Sequence, residues 1–505
     1  MPMSDSYKNL IDQSSVYNAI EPTNLDYAAN LSRRFESRIW LKREDQLPVF
    51  SFKLRGAYNK MAELSAEQLK AGVIAASAGN HAQGVAMSAK LLGTTATIVM
   101  PATTPKIKVD AVKNYGAEVV LHGDSYSDAQ ALAEKILAEK GLTFVSPYDD
   151  PLVIAGQGTI GKEILDQHVG ELEAIFVPIG GGGLIAGIAS YVKALRPEIK
   201  IIGVEPVEAD AMARSILAGE RIVLDDVGIF ADGVAVKQVG ELTFDVAKEL
   251  VDEIVLITTD EMCAAIKDVF EDTRTIQEPA GALSVAGAKK WLKENNRTGI
   301  DVVAIASGAN MNFDRLQHIA ERTEIGERRE GIFAVTISEQ SGSFRKFCRA
   351  LGPFNITEFN YRFSDQHNAN IYVGVQLKNS GDLNSVLETL QTAKYPAVDL
   401  TDNEIAKVHV RHMLGGHSGA SSDERLFRFR FPERPGALVN FLDALGDRWN
   451  ISLFHYRNHG TDYGRVLCGI QVSPDDHIAF EGFLEVLGYY YAEETDNPAY
   501  KIFLS

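Results

Sequence analysis

The sequence predicts an α/β protein: a doubly wound, mostly parallel sheet followed by a smaller α+β module that occurs twice. Two observations carry this. Between residues 40 and 310, short continuously apolar runs alternate with amphipathic helical stretches, as strands buried on both faces and joined by crossover helices do. Beyond residue 330 the chain repeats itself with an offset of 94 and then 95 residues, and such self-similarity marks duplicated units.

In order, the apolar runs are residues 72–77, 95–101, 117–122, 142–147, 173–179, 200–206 and 301–307. The stretch 313–330 is charge-rich and reads as an exposed helix or linker that ends the first unit. In the repeat, Gly342, Phe347, Leu351 and Gly352 match Gly436, Phe441, Leu445 and Gly446. After a one-residue insertion "NITEFNYR" (355–362) meets "NISLFHYR" (450–457). Each copy reads strand, glycine turn, helix, strand, strand, and is too small for a strong core, so the copies are expected to pack together. A duplicated module without a catalytic cluster points to binding or regulation.

A chain of 505 residues exceeds a single core. With 50 basic and 68 acidic side chains its net charge is −18, which argues against nucleic acid or an anionic membrane as the main partner. The start of the chain lacks a signal-peptide pattern, and Cys263, Cys348 and Cys468 form no CxxC pair; a cytoplasmic protein is expected.

Four loops follow strands or open helices, where open α/β sheets bind ligands. Gly180, Gly181, Gly182 and Gly183 precede a helix beginning at Leu184; consecutive glycines let N–H groups converge on an anion. No Gly-Lys-Ser/Thr follows, and the spacing is not G-x-G-x-x-G, although Glu205 lies where a ribose-binding acid would. "SAGNHAQG" offers Ser77, Asn80 and free N–H groups to a carboxylate or a phenolic oxygen. "SGAN" adds Ser307 and the Asn310 amide. Lys53, between Phe52 and Leu54 at a helix start, is by position either a solvated surface residue or a chemical amine. An amine, a phosphate cradle, a carboxylate loop and a terminal serine together suit a phosphate-bearing aldehyde cofactor acting on amino acids.

The motifs "SFKLRGA", "SAGNHAQGVA", "PIGGGGL", "EPAGAL" and "ASGANMNF" resemble the threonine dehydratase branch of the pyridoxal-phosphate β-elimination family. That family is fold type II, with two subdomains as in the tryptophan synthase β-subunit. "TEFNYRF", "FPERPGAL" and "NISLFHYRNHGTDYGR" resemble its paired ACT-like regulatory domains. The resemblance implies pyridoxal 5'-phosphate held as a Schiff base on Lys53, with Phe52 against the ring and Asn80 at its phenolic oxygen. Gly180 to Gly183 with Leu184 take the phosphate, and Ser307 faces the pyridine nitrogen. Ser77, Ala78, Gly79, Asn80 and His81 receive the substrate carboxylate. The implied reaction is L-threonine to 2-oxobutanoate and ammonia, the first step of isoleucine biosynthesis. Isoleucine inhibits and valine counters it, in a homotetramer, with effector contacts near Gly342, Gly436, Tyr361 and Tyr456.

The implied domains are 1–320, 331–402 and 425–505. Where related serine racemases carry a second serine this chain has Ala78, so racemisation is not expected. Their metal site needs a final acid where this chain has Ala211 after Glu205 and Asp210; no metal is expected, and His409, His412, His455 and His459 read as surface or interface residues. Where the family has Thr-Pro-Leu this chain has Thr23-Asn24-Leu25. The alternatives are a serine/threonine dehydratase of broader specificity, an NAD-dependent dehydrogenase, and a non-catalytic amino-acid sensor.

Overall fold

In the computed structural model, the parallel sheet that the apolar runs predict is divided between two sheets. The structure describes residues 3–338, 346–347, 350–351, 354, 356–361, 368–378, 382–412, 423–432, 441, 444, 448–457 and 463–504. The chain forms two units, Met1–Phe313 and Asp314–Ser505.

In the first unit the larger sheet has the spatial order Leu25–Tyr27, Arg38–Arg43, Asp301–Ala306, Ala174–Pro178, Lys200–Pro206, Glu253–Ile257. Only its first pair is antiparallel. The smaller sheet runs Glu118–Leu121, Ala96–Met100, Val73–Ala76, Thr143–Phe144, all parallel. Ile175, Val177, Ile201, Val303 and Ile305 pack with Ile185 and Ile188 of the helix Gly183–Leu195 under the larger sheet. Val73, Ala75, Ile98 and Met100 pack with Ala82, Val85 and Met61 under the smaller one. Each fully buried side chain of this size contributes about 2 kcal/mol.

In the first unit three strands, Leu25–Tyr27, Arg38–Arg43 and Glu253–Ile257, escape the sequence reading. Conversely, the run 142–147 pairs only over Thr143–Phe144. After a last bond from Val145 N to Ile74 O, the carbonyls of this run serve side chains: Val145 O bonds His81 and Pro147 O accepts from Lys53.

Small residues bring helices into contact. A Cβ at Gly156 would stand 2.7 Å from Arg55 O and from Gly56 Cα. The helix Lys53–Ala62 therefore lies directly on Pro151–Gln167, and its first turn is fixed.

The second unit bears out the duplication. Its sheets share one order: Ile356–Tyr361, Asn368–Gln376, Glu330–Ser338, Ala397–Asp399, and Asn450–Arg457, Tyr463–Gln471, Glu424–Pro432, Tyr491–Glu493. The register slips at Ile356/Glu358 in one copy and at Ile451/Leu453 in the other. Beyond the elements that the sequence predicts, each copy has among the described residues a helix, Asp382–Thr392 or His477–Leu487, and a fourth strand, Ala397–Asp399 or Tyr491–Glu493. The repeat continues in "TDN", since Asn403 caps Glu404–Val408 and Asn497 caps Pro498–Phe503. These two capping residues meet, Asn403 Nδ2 donating to Asn497 Oδ1 at 3.1 Å. Ile332, Ala334 and Tyr372 of the first copy share a core with Leu426, Leu467, Tyr500 and Phe503 of the second, so the copies do pack together.

The charged stretch after Phe313 differs from expectation. It forms the helix Arg315–Gly326, which begins the second unit and buries His318, Ile319, Arg322 and Ile325. Its charges are matched inside that unit: Arg322 pairs with both oxygens of Glu404 at 3.0 and 2.8 Å. Arg411, next to it, pairs with Glu330 at 3.0 Å.

Candidate active site

Lys53 is the first residue of its helix, with Phe52 before it. Positive potential at a helix start and removal from water both disfavour an ammonium. Burial pushes the Lys53 amine down to about 8, partly offset by the charge of Glu278. Its Nζ donates to Pro147 O at 2.8 Å and lies 5.2 Å from the centre of the Phe52 ring. The segment leading to Lys53 is laced to the end of the strand Asp301–Ala306. Phe52 N donates to Ser307 O at 3.2 Å and Ala309 N to Phe50 O at 2.9 Å, with a bridge between Ser51 and Gly308. The amine and Ser307 are thus registered against each other. Ser307 is buried and its Oγ donates to Ala280 O at 3.2 Å.

The four glycines join the strand Ala174–Pro178 to the helix Gly183–Leu195. Gly182 has φ +96°, a conformation glycine adopts without strain. A Cβ on Gly181 would enter the Tyr148 ring, and one on Gly182 would stand 2.7 Å from Thr243 Oγ1. The Gly181 carbonyl is held by Thr243 Oγ1 at 2.6 Å and Gly240 N at 3.1 Å. Asp149 in turn holds the start of the helix Glu241–Leu250 through Glu241 N (2.9 Å) and Leu242 N (3.0 Å). Among the described residues no acceptor takes the N–H groups of Gly180, Gly181 or Gly182, and those of Gly183 and Leu184 open a helix. Aligned free donors at a helix start form an anion cradle.

Asn80 begins the helix Asn80–Leu92, after Ser77, Ala78 and Gly79 in the partly buried turn. Ser77 Oγ accepts from Gly79 N at 3.3 Å. His81 is buried, with Nε2 2.8 Å from Val145 O. Burial, with Lys53 nearby, holds it down at about 3 and therefore neutral. Asn80 contacts Asn310, whose amide the sequence places in this crevice, and Glu278, which sequence reasoning left without a role. Its Nδ2 donates to Glu278 Oε1 at 2.6 Å, and its Oδ1 accepts from Asn310 Nδ2 at 2.7 Å. The signal for Glu278 was an acid immediately before Pro279 at a helix start.

Among the described residues Glu205 belongs to no group of three or more His, Cys, Asp and Glu side chains that could hold a metal ion. It accepts from Met212 N (2.9 Å) and Ala213 N (2.8 Å) at the start of the helix Ala211–Ala218, while Asp210 pairs with Arg214 at 2.8 Å. Burial pushes Glu205 up to about 8 against the pull of those two amides. Between about pH 4.5 and 8 the folded chain then holds a proton that the unfolded chain has lost, so this group costs stability as pH rises. Glu205→Gln stays neutral, so its Tm relative to the parent is expected to rise between pH 5 and 8. A constant gap in calorimetry would mean that Glu205 is ionised throughout.

Gly342, Gly436 and His459 lie outside the described residues. Tyr361 ends the strand Ile356–Tyr361 and Tyr456 lies in Asn450–Arg457, as does His455. His409 is interior, not surface, at 1 % exposure, and His412 lies 3.4 Å from Glu321. Thr23 keeps its place without the proline: its Oγ1 donates to Glu44 at 2.6 Å and its N to Glu163 at 3.1 Å. The Asn24 carbonyl accepts from Arg43 N at 3.0 Å.

A depressed lysine and a free amide cradle in a fold type II scaffold define a pyridoxal-phosphate-dependent enzyme. Residues 16–308 match the family described as pyridoxal-phosphate dependent enzyme. Residues 321–410 and 415–504 each match the C-terminal regulatory domain of threonine dehydratase. The biosynthetic L-threonine dehydratase of Burkholderia multivorans is 56% identical over 99% of this chain and 100% of its own length. The chloroplastic biosynthetic threonine dehydratase of Arabidopsis thaliana is 52% identical over 99% of this chain and 84% of its own. Among solved structures, processed threonine deaminase isoform 2 of Solanum lycopersicum is similar with TM-score 0.63 and 48% identity, over 64% of this chain and 88% of that one. Maize serine racemase is similar with TM-score 0.59 and 32% identity, over 63% and 98%. The chain belongs to the biosynthetic threonine dehydratase family.

The family's cofactor is pyridoxal phosphate, and the residues present fit it. The cradle of Gly180 to Leu184 offers N–H groups on a backbone whose close neighbours, Tyr148 and Thr243 among them, leave room for glycine only, and Lys53 is an amine biased toward its neutral form.

Proposed function

We propose that the chain deaminates L-threonine to 2-oxobutanoate and ammonia, the first step of isoleucine biosynthesis. The observation that carries this is the Lys53 amine, pushed down to about 8 and registered against Ser307. Pyridoxal phosphate, when bound, supplies an electron sink for the bond breaking at Cα. Lys53 would hold the cofactor aldehyde, and its amine, when free, would take the α-proton as general base. The N–H groups of Gly180 to Leu184 hold the phosphate, and Phe52 lies against the ring. Ser77, Ala78, Gly79, Asn80 and His81 receive the substrate carboxylate. Ser307 would offer the pyridine nitrogen a neutral hydroxyl, which does not keep that nitrogen protonated as an aspartate would; charge is then withdrawn less completely into the ring, which favours loss of the β-hydroxyl. Water lost from the β-carbon is returned when the released enamine tautomerises and hydrolyses, so the net products are the keto acid and ammonia.

The test is a visible band bleached by borohydride with the label on Lys53, together with release of both products from L-threonine. A colourless chain that never takes up the cofactor sinks the reading. Ala78 cannot carry a proton on the face opposite Lys53, so D-threonine formation is expected to be negligible by chiral chromatography. Appreciable epimerisation by the parent chain contradicts the assignment.

Residues 1–320 are read as the catalytic domain, and 331–402 and 425–505 as ACT-like domains that bind isoleucine as inhibitor and valine as its antagonist, in a cytoplasmic homotetramer. Two sheets of one order around a shared core support a paired binding module, and among the described residues no helix is long and apolar enough to cross a membrane. Isoleucine inhibition should vanish when residues 331–505 are removed; retained inhibition places the effector elsewhere.

A further inference from the structure

Glu278 is a buried carboxylate in the site that the proposed reaction does not use. It stands at the start of the helix Pro279–Glu294, yet its side chain makes no capping hydrogen bond there. Its Oε1 accepts from Asn80 Nδ2 at 2.6 Å. Asn310 Nδ2 donates both to Asn80 Oδ1 and to Val49 O, at 2.7 Å each. These contacts fix which way the Asn80 amide faces. A carbonyl such as Val49 O can only accept, so the Asn310 atom beside it is nitrogen. That nitrogen makes the facing Asn80 atom oxygen, and the Asn80 nitrogen then meets the carboxylate. One hydrogen on Asn80 Nδ2 is left over.

A glycine makes room for the arrangement: a Cβ on Gly308 would stand 2.6 Å from Glu278 Oε1.

We propose that Glu278 is a positioning residue that, with Asn310, locks the Asn80 amide so that it presents only a donor to the phenolic oxygen of the bound cofactor. The inference rests on the cofactor placement proposed above. A donor at that oxygen stabilises negative charge there, whereas a flipped amide would oppose it. Glu278 also acts on Lys53, because its charge favours the ammonium and moderates the effect of burial.

Two variants of the full-length chain separate these effects. Glu278→Gln keeps the shape and removes the charge; Asn310→Ala removes a partner of Asn80 and leaves the charge. The readouts are the visible band of the loaded chain across pH and the pH midpoint of Lys53 alkylation in the stripped chain, followed by peptide mass spectrometry. In Glu278→Gln the band is expected to move, and the Lys53 midpoint to fall by roughly half a unit or more. In Asn310→Ala the band moves and the Lys53 midpoint stays. A Glu278→Gln chain with both readings unchanged overturns the proposal, however far its Tm falls. If that variant does not fold, Asn310→Ala decides, and an unmoved band refutes the lock. A parent chain with no borohydride-sensitive band overturns the cofactor placement itself, and this proposal with it.

Discussion

Lys53→Ala lowers kcat/KM for L-threonine by about 10⁴-fold and removes the visible band that borohydride bleaches. Two losses coincide in this variant: the amine that anchors the cofactor and the base that takes the α-proton. Their common origin is the drop of the Lys53 pKa from 10.5 to about 8, which raises the neutral fraction near neutral pH about 300-fold over a solvated lysine. Lys53→Arg is expected to be as inactive, since a guanidinium keeps the charge but stays protonated. Added ethylamine should restore part of the Lys53→Ala rate with an optimum that follows the amine's own pKa, a signature that a merely structural role lacks. Activity within tenfold of the parent would exclude Lys53 as the base.

Why Lys53 could be picked out, and Glu278 could not, is a matter of where the informative neighbours lie. The stretch around Lys53 alone leaves it a surface residue or a chemical amine, but the glycine run and the two polar loops are each a local signal, and together they single it out. Glu278 acquires its role through Asn80, 198 residues away in sequence. The strand Arg38–Arg43 was hidden for a related reason. Its Lys42 and Arg43 end the apolar pattern, and both are buried: Lys42 against the distant Glu163, Arg43 against Asp45 and Asp26. The helix Arg315–Gly326 was misread as exposed because Arg322 is matched by Glu404, 82 residues on. The wholly apolar strands behaved otherwise, since burial on both faces is written into each run; Lys200–Pro206 has the predicted limits. Charged residues whose partners are remote are where a sequence hides its interior.

The largest stability effect is expected at one such residue, Arg55. Its side chain and that of Glu44 are 0% exposed, Lys42 is 0% and Glu163 3%. Arg55 bonds Glu44 at 2.7 and 2.8 Å and Glu163 at 2.6 and 3.0 Å, and Lys42 reaches Glu163 at 2.6 Å. Two cations balance two carboxylates away from solvent, and the guanidinium also meets the hydroxyls of Thr23 and Thr159. Burial opposes ionising Glu163, but Arg55 and Lys42 hold its carboxyl below the usual range. Arg55→Met fills similar space and leaves two buried carboxylates facing one lysine, at a cost of about 3–5 kcal/mol. Arg55→Met with Glu44→Gln restores neutrality and should recover more than half of the lost Tm. Because Arg55 lies two residues beyond Lys53 and its carbonyl abuts Gly156, the single variant also loosens the start of the helix. The alkylation midpoint of Lys53 in the stripped chain is then expected to climb from about 8 toward 10.5. A loss below about 1 kcal/mol, the range of exposed pairs, would mean that water reaches the cluster in solution.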